Sequence, residues 1–147
     1  MSQSLVERRI LQSVVGVLAA IPVLAGAEGV ISGPEFLDVS EPWPADLDSH
    51  FRFLSGIFLA VGIGWYSCIP AIETHGARFR LLAALTVAGG LARLFSLMLG
   101  TIPSGGHLGG LGIELVVVPL LVLWQARIAR LYRQPDFNGG NPTERLY

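Results

Sequence analysis

The chain has 147 residues, 52% of them hydrophobic and 14% charged, with a formal net charge of −1 and a mean hydropathy of +0.58. This is one domain's worth of chain with the composition of a protein dissolved in lipid. The near-neutral charge, the absence of lysine and the single cysteine, Cys68, exclude a basic nucleic-acid-binding field, lysine Schiff-base and P-loop chemistry, an intrachain disulfide, a CxxC redox pair and multi-cysteine metal sites.

A bilayer core of roughly 30 Å needs about 20 predominantly apolar residues per helix. The first predicted element runs from Ile10 to Ile31. Its basic start, apolar run and Ala-x-Ala-like end (ERRILQSVVGVLAAIPVLAGAEG) share features with a secretory signal. The run exceeds the usual apolar length of about 7 to 15 residues, so the segment reads as an uncleaved helix. A Pro-rich acidic loop, GPEFLDVSEPWPAD, follows. The second element spans Asp48 to Ile69, opening on LDSHFR before turning apolar. A short polar loop, PAIETHG, in which His75 is expected to be solvated, leads to the third element, Ala77 to Gly100. The uncharged turn TIPSGG precedes the fourth, His107 to Ala129. The pattern predicts an all-α integral membrane domain over residues 1–132, an up-down-up-down four-helix bundle, with a polar cytoplasmic tail over 133–147.

Arginine distribution predicts the orientation. Arg8 and Arg9, Arg78 and Arg80, and Arg127, Arg130 and Arg133 flank one side. The loop between the first two spans carries Glu35, Asp38, Glu41 and Asp46 and no basic residue. Both termini are therefore expected in the cytoplasm, and Trp65, Tyr66 and Trp124 at the inner ends of their helices, with Trp43 in the outer loop, are expected to form interfacial belts. Cys68 reads as a small apolar packing residue.

Four ionisable side chains fall inside the spans: Glu28, Arg52, Arg93 and Glu114. Each costs at least a few kcal/mol at mid-membrane unless paired. At 1.5 Å rise per residue, Arg93 and Glu114 each lie about 10 Å from the outer ends of their helices. Glu28 lies near the outer end of the first helix, with Asp48, His50 and Arg52 at the outer start of the second. The expectation is one charge-paired pocket in the outer half, with His107 at its rim. Asp48 and Arg52 are i,i+4 neighbours able to pair. Small residues on the third helix (Thr86, Gly89, Gly90, Ser96, Gly100) and the pairs Gly105–Gly109 and Gly106–Gly110 are expected to permit close helix approach. Pro22 and Pro119 are expected to kink their helices and splay the outer half.

Plainer readings compete. Arg93 with Glu114 also fits a structural ion pair that sets helix register. Asp48 fits an N-cap, and Arg52 a side chain snorkelling to headgroups. Histidines and glutamates suit a divalent metal by type, but no HxxxH or HExxH spacing is present, so no metal and no cofactor is expected. Nucleophile-elbow, phosphate-loop and Rossmann signatures do not occur in the sequence.

The segments LDSHFRFLSGIFLAVG (47–62), GGLARLFSLMLG (89–100) and ELVVVPLLVLWQ (114–125) resemble the bacterial membrane-protein family catalogued as domain of unknown function 4345 (DUF4345). The likeness runs from about Arg9 to Gln125 and includes the GPEFL loop. The resemblance implies a small four-helix bacterial membrane protein and brings no established activity. Its motif positions are Asp48, His50, Arg52, Phe53, Arg93, Glu114 and Pro119. The glycine-rich start of the fourth helix departs from the family pattern.

Together these readings predict a multi-pass bacterial inner-membrane protein. Its outer pocket would bind a small amphipathic molecule such as a lipid, quinone or isoprenoid. The alternative is an accessory or assembly subunit that meets a membrane-protein partner through Gly-rich helix faces. Enzymatic acid–base chemistry by Arg, Glu and His is a third, less supported reading.

Overall fold

The structure, a computed structural model, describes residues 3–100 and 102–133. Within them the chain forms four long helices and no strand: α1 (Gln3–Ser32), α2 (Ala45–Cys68), α3 (Gly76–Met98) and α4 (Gly105–Arg133). All four are long and apolar enough to cross a membrane, as expected of a multi-pass membrane protein. The predicted polar tail, apart from Arg133, lies outside the described residues.

Helix ends explain which residues pin the bundle. The last carbonyls of a helix have no partner within it and take one from side chains or water. At the turn after α2, Gln12 Nε2 donates to Ile69 O at 2.6 Å, Arg8 Nη2 to Pro70 O at 2.9 Å and Gln125 Nε2 to Ile72 O at 2.8 Å. Arg8 Nε also meets Glu73 Oε2 at 2.8 Å, and Arg127 Nη2 meets Glu7 Oε1 at 3.0 Å. The start of α1, the end of α4 and the 69–75 turn are thereby tied together, forming what we call the pinned end.

The apolar core lies toward this end. Leu11, Val15 and Ala19 recur every fourth residue on α1 and meet Trp65, Cys68, Ile72, Phe79, Leu82, Val118, Leu121 and Ile128. Large apolar side chains also cover the outside, with Val17 71% exposed and Leu24 70% exposed. That inversion of the usual rule is what a lipid-facing surface requires. Trp65 corrects one expectation. It belongs to the core rather than an interfacial belt, only 6% exposed. Its ring meets Phe79 edge-on at 4.8 Å, and its Nε1 donates to Thr86 Oγ1 at 3.3 Å, so the indole donor is satisfied inside. His75, expected to be solvated, is half-buried, with Nδ1 3.4 Å from Cys68 O.

The closest helix packing is between α1 and α2, at glycines. A Cβ at Gly26 would stand 2.5 Å from Leu59 N, one at Gly62 2.7 Å from Val23 Cγ2, and one at Gly29 would collide with Ser55 Oγ. Small residues at these levels let the two backbones touch, which replaces hydrophobic driving force in lipid with dispersion contact. The expected close-packing glycines of α4 behave differently. Added Cβ atoms at Gly105, Gly106, Gly109, Gly110 and Gly112 would meet nothing within 4 Å. On α3, Gly89 is likewise open, while Gly90 packs against Leu115 and Glu114.

Candidate functional site

Helix α4 changes pitch where its charge sits. Gly105–Gly112 is α-helical, Ile113–Val117 is a π-helical turn, and Val118–Arg133 returns to α. Pro119 has no N–H for the carbonyl four residues back, and its ring crowds that carbonyl. The turn before it widens, and Val118 N–H bonds to Ile113 O instead. Such single π turns occur frequently at functional sites. Here the turn carries Glu114, which is 8% exposed. Sequence reasoning expected Pro119 to disturb the helix; the form of the disturbance follows from the wider hydrogen-bond step. Pro22, by contrast, lies within a helix that continues without interruption through Ser32.

Glu114 faces α3. Its Oε2 stands 3.4 Å from Arg93 Nε, with side-chain exposures of 38% for Arg93 and 10% for Glu114. The approach is ionic without a hydrogen bond, and Glu114 Oε2 has no hydrogen-bond partner among the described residues. A Cβ at Gly90 would come 2.9 Å from Glu114 Cβ, so the absence of a side chain at Gly90 is what lets α3 lie against the π turn.

Two cavities flank this pair. The first, of about 250 Å³, lies between α1, α2, α3 and α4, with Glu114 and Thr86 in an otherwise apolar lining that includes Leu18, Pro22, Phe58, Val61, Trp65 and Leu121. One wall is the glycine backbone of α4 at Gly106, Gly109 and Gly110. The first two turns of α4 pack on α3 and not on α1, so the cleft is not closed between α1 and α4. The second cavity, also about 250 Å³, is lined by Arg93, His107, Ser96, Leu97 and Leu111. His107 Nδ1 and Ser104 Oγ are 2.9 Å apart beside it. The Arg93–Glu114 pair thus stands between the two cavities, with Glu114 in the lining of the first and Arg93 in that of the second.

The remaining candidates do not join this site. Arg52 Nε contacts Asp48 Oδ1 and Oδ2 at 3.1 and 3.0 Å, and its Nη1 donates to Val30 O at 2.6 Å and Ile31 O at 2.8 Å. The guanidinium therefore caps the C-terminal carbonyls of α1, where the helix dipole favours a cation. Gly33, at φ +62°, completes this corner, since a Cβ there would come 2.6 Å from Asp48 Oδ1. Glu28 is exposed and accepts a hydrogen bond from Ser32 Oγ at 2.6 Å on its own helix. His50 is exposed. The expected single cluster is therefore two separate pairs, Asp48–Arg52 holding α1 to α2 and Arg93–Glu114 between α3 and α4, with Glu28 and His50 lining neither cavity. The sequence puts both pairs near one end of their helices, and the structure gives them different neighbours. Among the described residues no three His, Cys, Asp or Glu side chains converge as a metal ion would need.

Sequence reasoning missed the Gly26, Gly29 and Gly62 seam and the Gln12 and Gln125 caps. The spacing of Ala25 and Gly29, a small-xxx-small pair within α1, was an available signal for the first. A lone glutamine near each end of an apolar run carries no comparable signal.

Residues 10–125 match a family described as "Domain of unknown function (DUF4345)". The chain belongs to that family. Neither a curated protein nor a solved structure matches it.

Proposed function

We infer that this member of the DUF4345 family is a small bacterial inner-membrane protein, with both termini cytoplasmic and its helices running up-down-up-down, that holds a small amphipathic molecule in the cleft lined by Glu114, the partner of Arg93. The pinned end is the cytoplasmic one in this reading. Arg8, Arg9, Arg78, Arg80, Arg127, Arg130 and Arg133 cluster toward it, in keeping with the positive-inside rule. The ligand class is a lipid, quinone or isoprenoid.

One observation carries the reading: an apolar cleft of about 250 Å³ has a buried carboxylate, Glu114, in its wall, and Arg93 backs that carboxylate from outside the cleft. Concave apolar sites with a few convergent polar groups are the usual form of a small-molecule site, and an ionisable residue inside a membrane span is a functional-site hypothesis by default. Purified protein in detergent, warmed with decylubiquinone or farnesol, should show a ligand-induced rise in melting temperature. Arg93→Leu should abolish that rise while helical circular dichroism persists. An unchanged response in the variant would count against the site.

A second reading, an accessory subunit of a larger membrane complex, draws on the α4 glycines that face open space. Protein that runs as a monomer and yields no crosslinked membrane partner in its native membrane would remove it.

A further inference from the structure

The polar chemistry of the apolar cleft is lopsided. Thr86 is already engaged, its hydroxyl donating to Leu82 O at 2.9 Å and accepting from Trp65 Nε1 at 3.3 Å. Glu114 Oε2 is buried and lacks a hydrogen-bond donor. A buried acceptor left without a donor is costly, and native structures rarely tolerate one. Its carboxylate already faces one cation, Arg93; a ligand bearing net charge would leave an uncompensated charge in a low-dielectric setting. A water molecule alone needs two to four polar partners, roughly, to be well held, and the rest of this lining is apolar or engaged.

The glycines of α4 bear on access. Gly106, Gly109 and Gly110 line the same cleft, and a Cβ at any of them would meet nothing within 4 Å. Side chains are missing where they would fill the gap that separates α4 from α1. At about 250 Å³ the cleft is a little smaller than ligand sites, which run from about 300 to 1,000 Å³. It fits the head and first part of a chain whose remainder lies in the bilayer.

We propose that the cleft takes a neutral lipid alcohol, which enters sideways from the bilayer past Gly106 and Gly109 and donates its hydroxyl hydrogen to the Glu114 carboxylate. The apolar body lies against Leu18, Pro22, Phe58 and Val61. This rests on the cleft reading of the previous subsection and adds the ligand's charge, its donor group and its route.

The test titrates purified protein in detergent micelles with farnesol and, separately, with farnesyl methyl ether, following Trp65 fluorescence in a Trp43→Phe, Trp124→Phe background. The two probes share an apolar body, and only the alcohol can donate. The alcohol should bind about tenfold more tightly, as expected for one hydrogen bond to a charged acceptor. Gly109→Leu should weaken alcohol binding at least tenfold with the helical spectrum intact, and Gly106→Leu is the second plug. Gly112→Leu, outside the cleft lining and also in open space, should bind as the parent does. Equal affinity for alcohol and ether overturns the donor assignment and leaves the cleft standing. Binding of neither probe overturns both. Full alcohol binding in well-folded Gly109→Leu and Gly106→Leu overturns the route and the location.

Discussion

Adding one methyl group at Gly26 tests the α1–α2 seam on which the geometry of the bundle depends. The new Cβ would stand 2.5 Å from Leu59 N and 2.8 Å from Leu59 Cα, against an ordinary contact distance that begins at 3.4 Å, so the backbones must part by 3.4 − 2.5 = 0.9 Å at that level. The obstruction is backbone, which no rotamer change relieves. A gap of about 0.5 to 1 Å forfeits a quarter to a half of each dispersion contact along the opened stretch. Overpacking of this kind costs about 1–3 kcal/mol, and alanine's better helix propensity returns at most about 1 kcal/mol. Gly26→Ala should therefore lose roughly 1–2 kcal/mol. The assay is reversible unfolding in mixed micelles of increasing dodecyl sulfate fraction, followed by circular dichroism. Gly89→Ala is the matched control, because its Cβ meets nothing within 4 Å; it should be neutral or slightly stabilising. Equal stability of Gly26→Ala and Gly89→Ala would refute the packing argument.

Four further substitutions probe the polar contacts. Arg93→Leu leaves the more deeply buried Glu114 without its cation and should lose about 3 kcal/mol; Glu114→Leu should lose less, because Arg93 is 38% exposed and can reach toward headgroups. The Arg93→Leu, Glu114→Leu double variant should recover much of the loss in the same unfolding assay, and strict additivity would contradict a direct pair. Gln125→Leu orphans the Ile72 carbonyl and should cost about 1–3 kcal/mol, read as a lower unfolding midpoint. Gly33→Ala adds left-handed backbone strain of about 1–2 kcal/mol and pushes on the Asp48–Arg52 pair, so a stability equal to wild type would contradict the corner described here.

The four helices were legible because length and hydropathy suffice to identify apolar spans, and each observed helix starts one to seven residues before the expected boundary, where polar residues such as Glu7 and Arg8 continue α1. Arg93 with Glu114 was legible too, since two opposite charges at one depth on consecutive spans have few partners to choose from. Depth alone could not separate Arg52 from that pair. Its partners are the carbonyls of Val30 and Ile31, and backbone acceptors leave no mark in a sequence. Trp65 shows the complementary limit. An aromatic ring near the end of a span fits a membrane interface by composition, and only the neighbouring Phe79 and Thr86 from another helix draw it inside. The glycines of α4 and α1 look alike as letters, yet those of α1 meet neighbouring side chains or backbone and those of α4 meet a gap. Which helix passes nearby decides the difference.

A structure determined in lipid nanodiscs is the most direct measurement. The account predicts elongated density between α1 and α4, bounded by Leu18, Phe58 and Gly109 and ending within hydrogen-bond distance of Glu114. The first turns of α4 closed against α1, or Arg93 and Glu114 apart and turned toward the acyl chains, would contradict it.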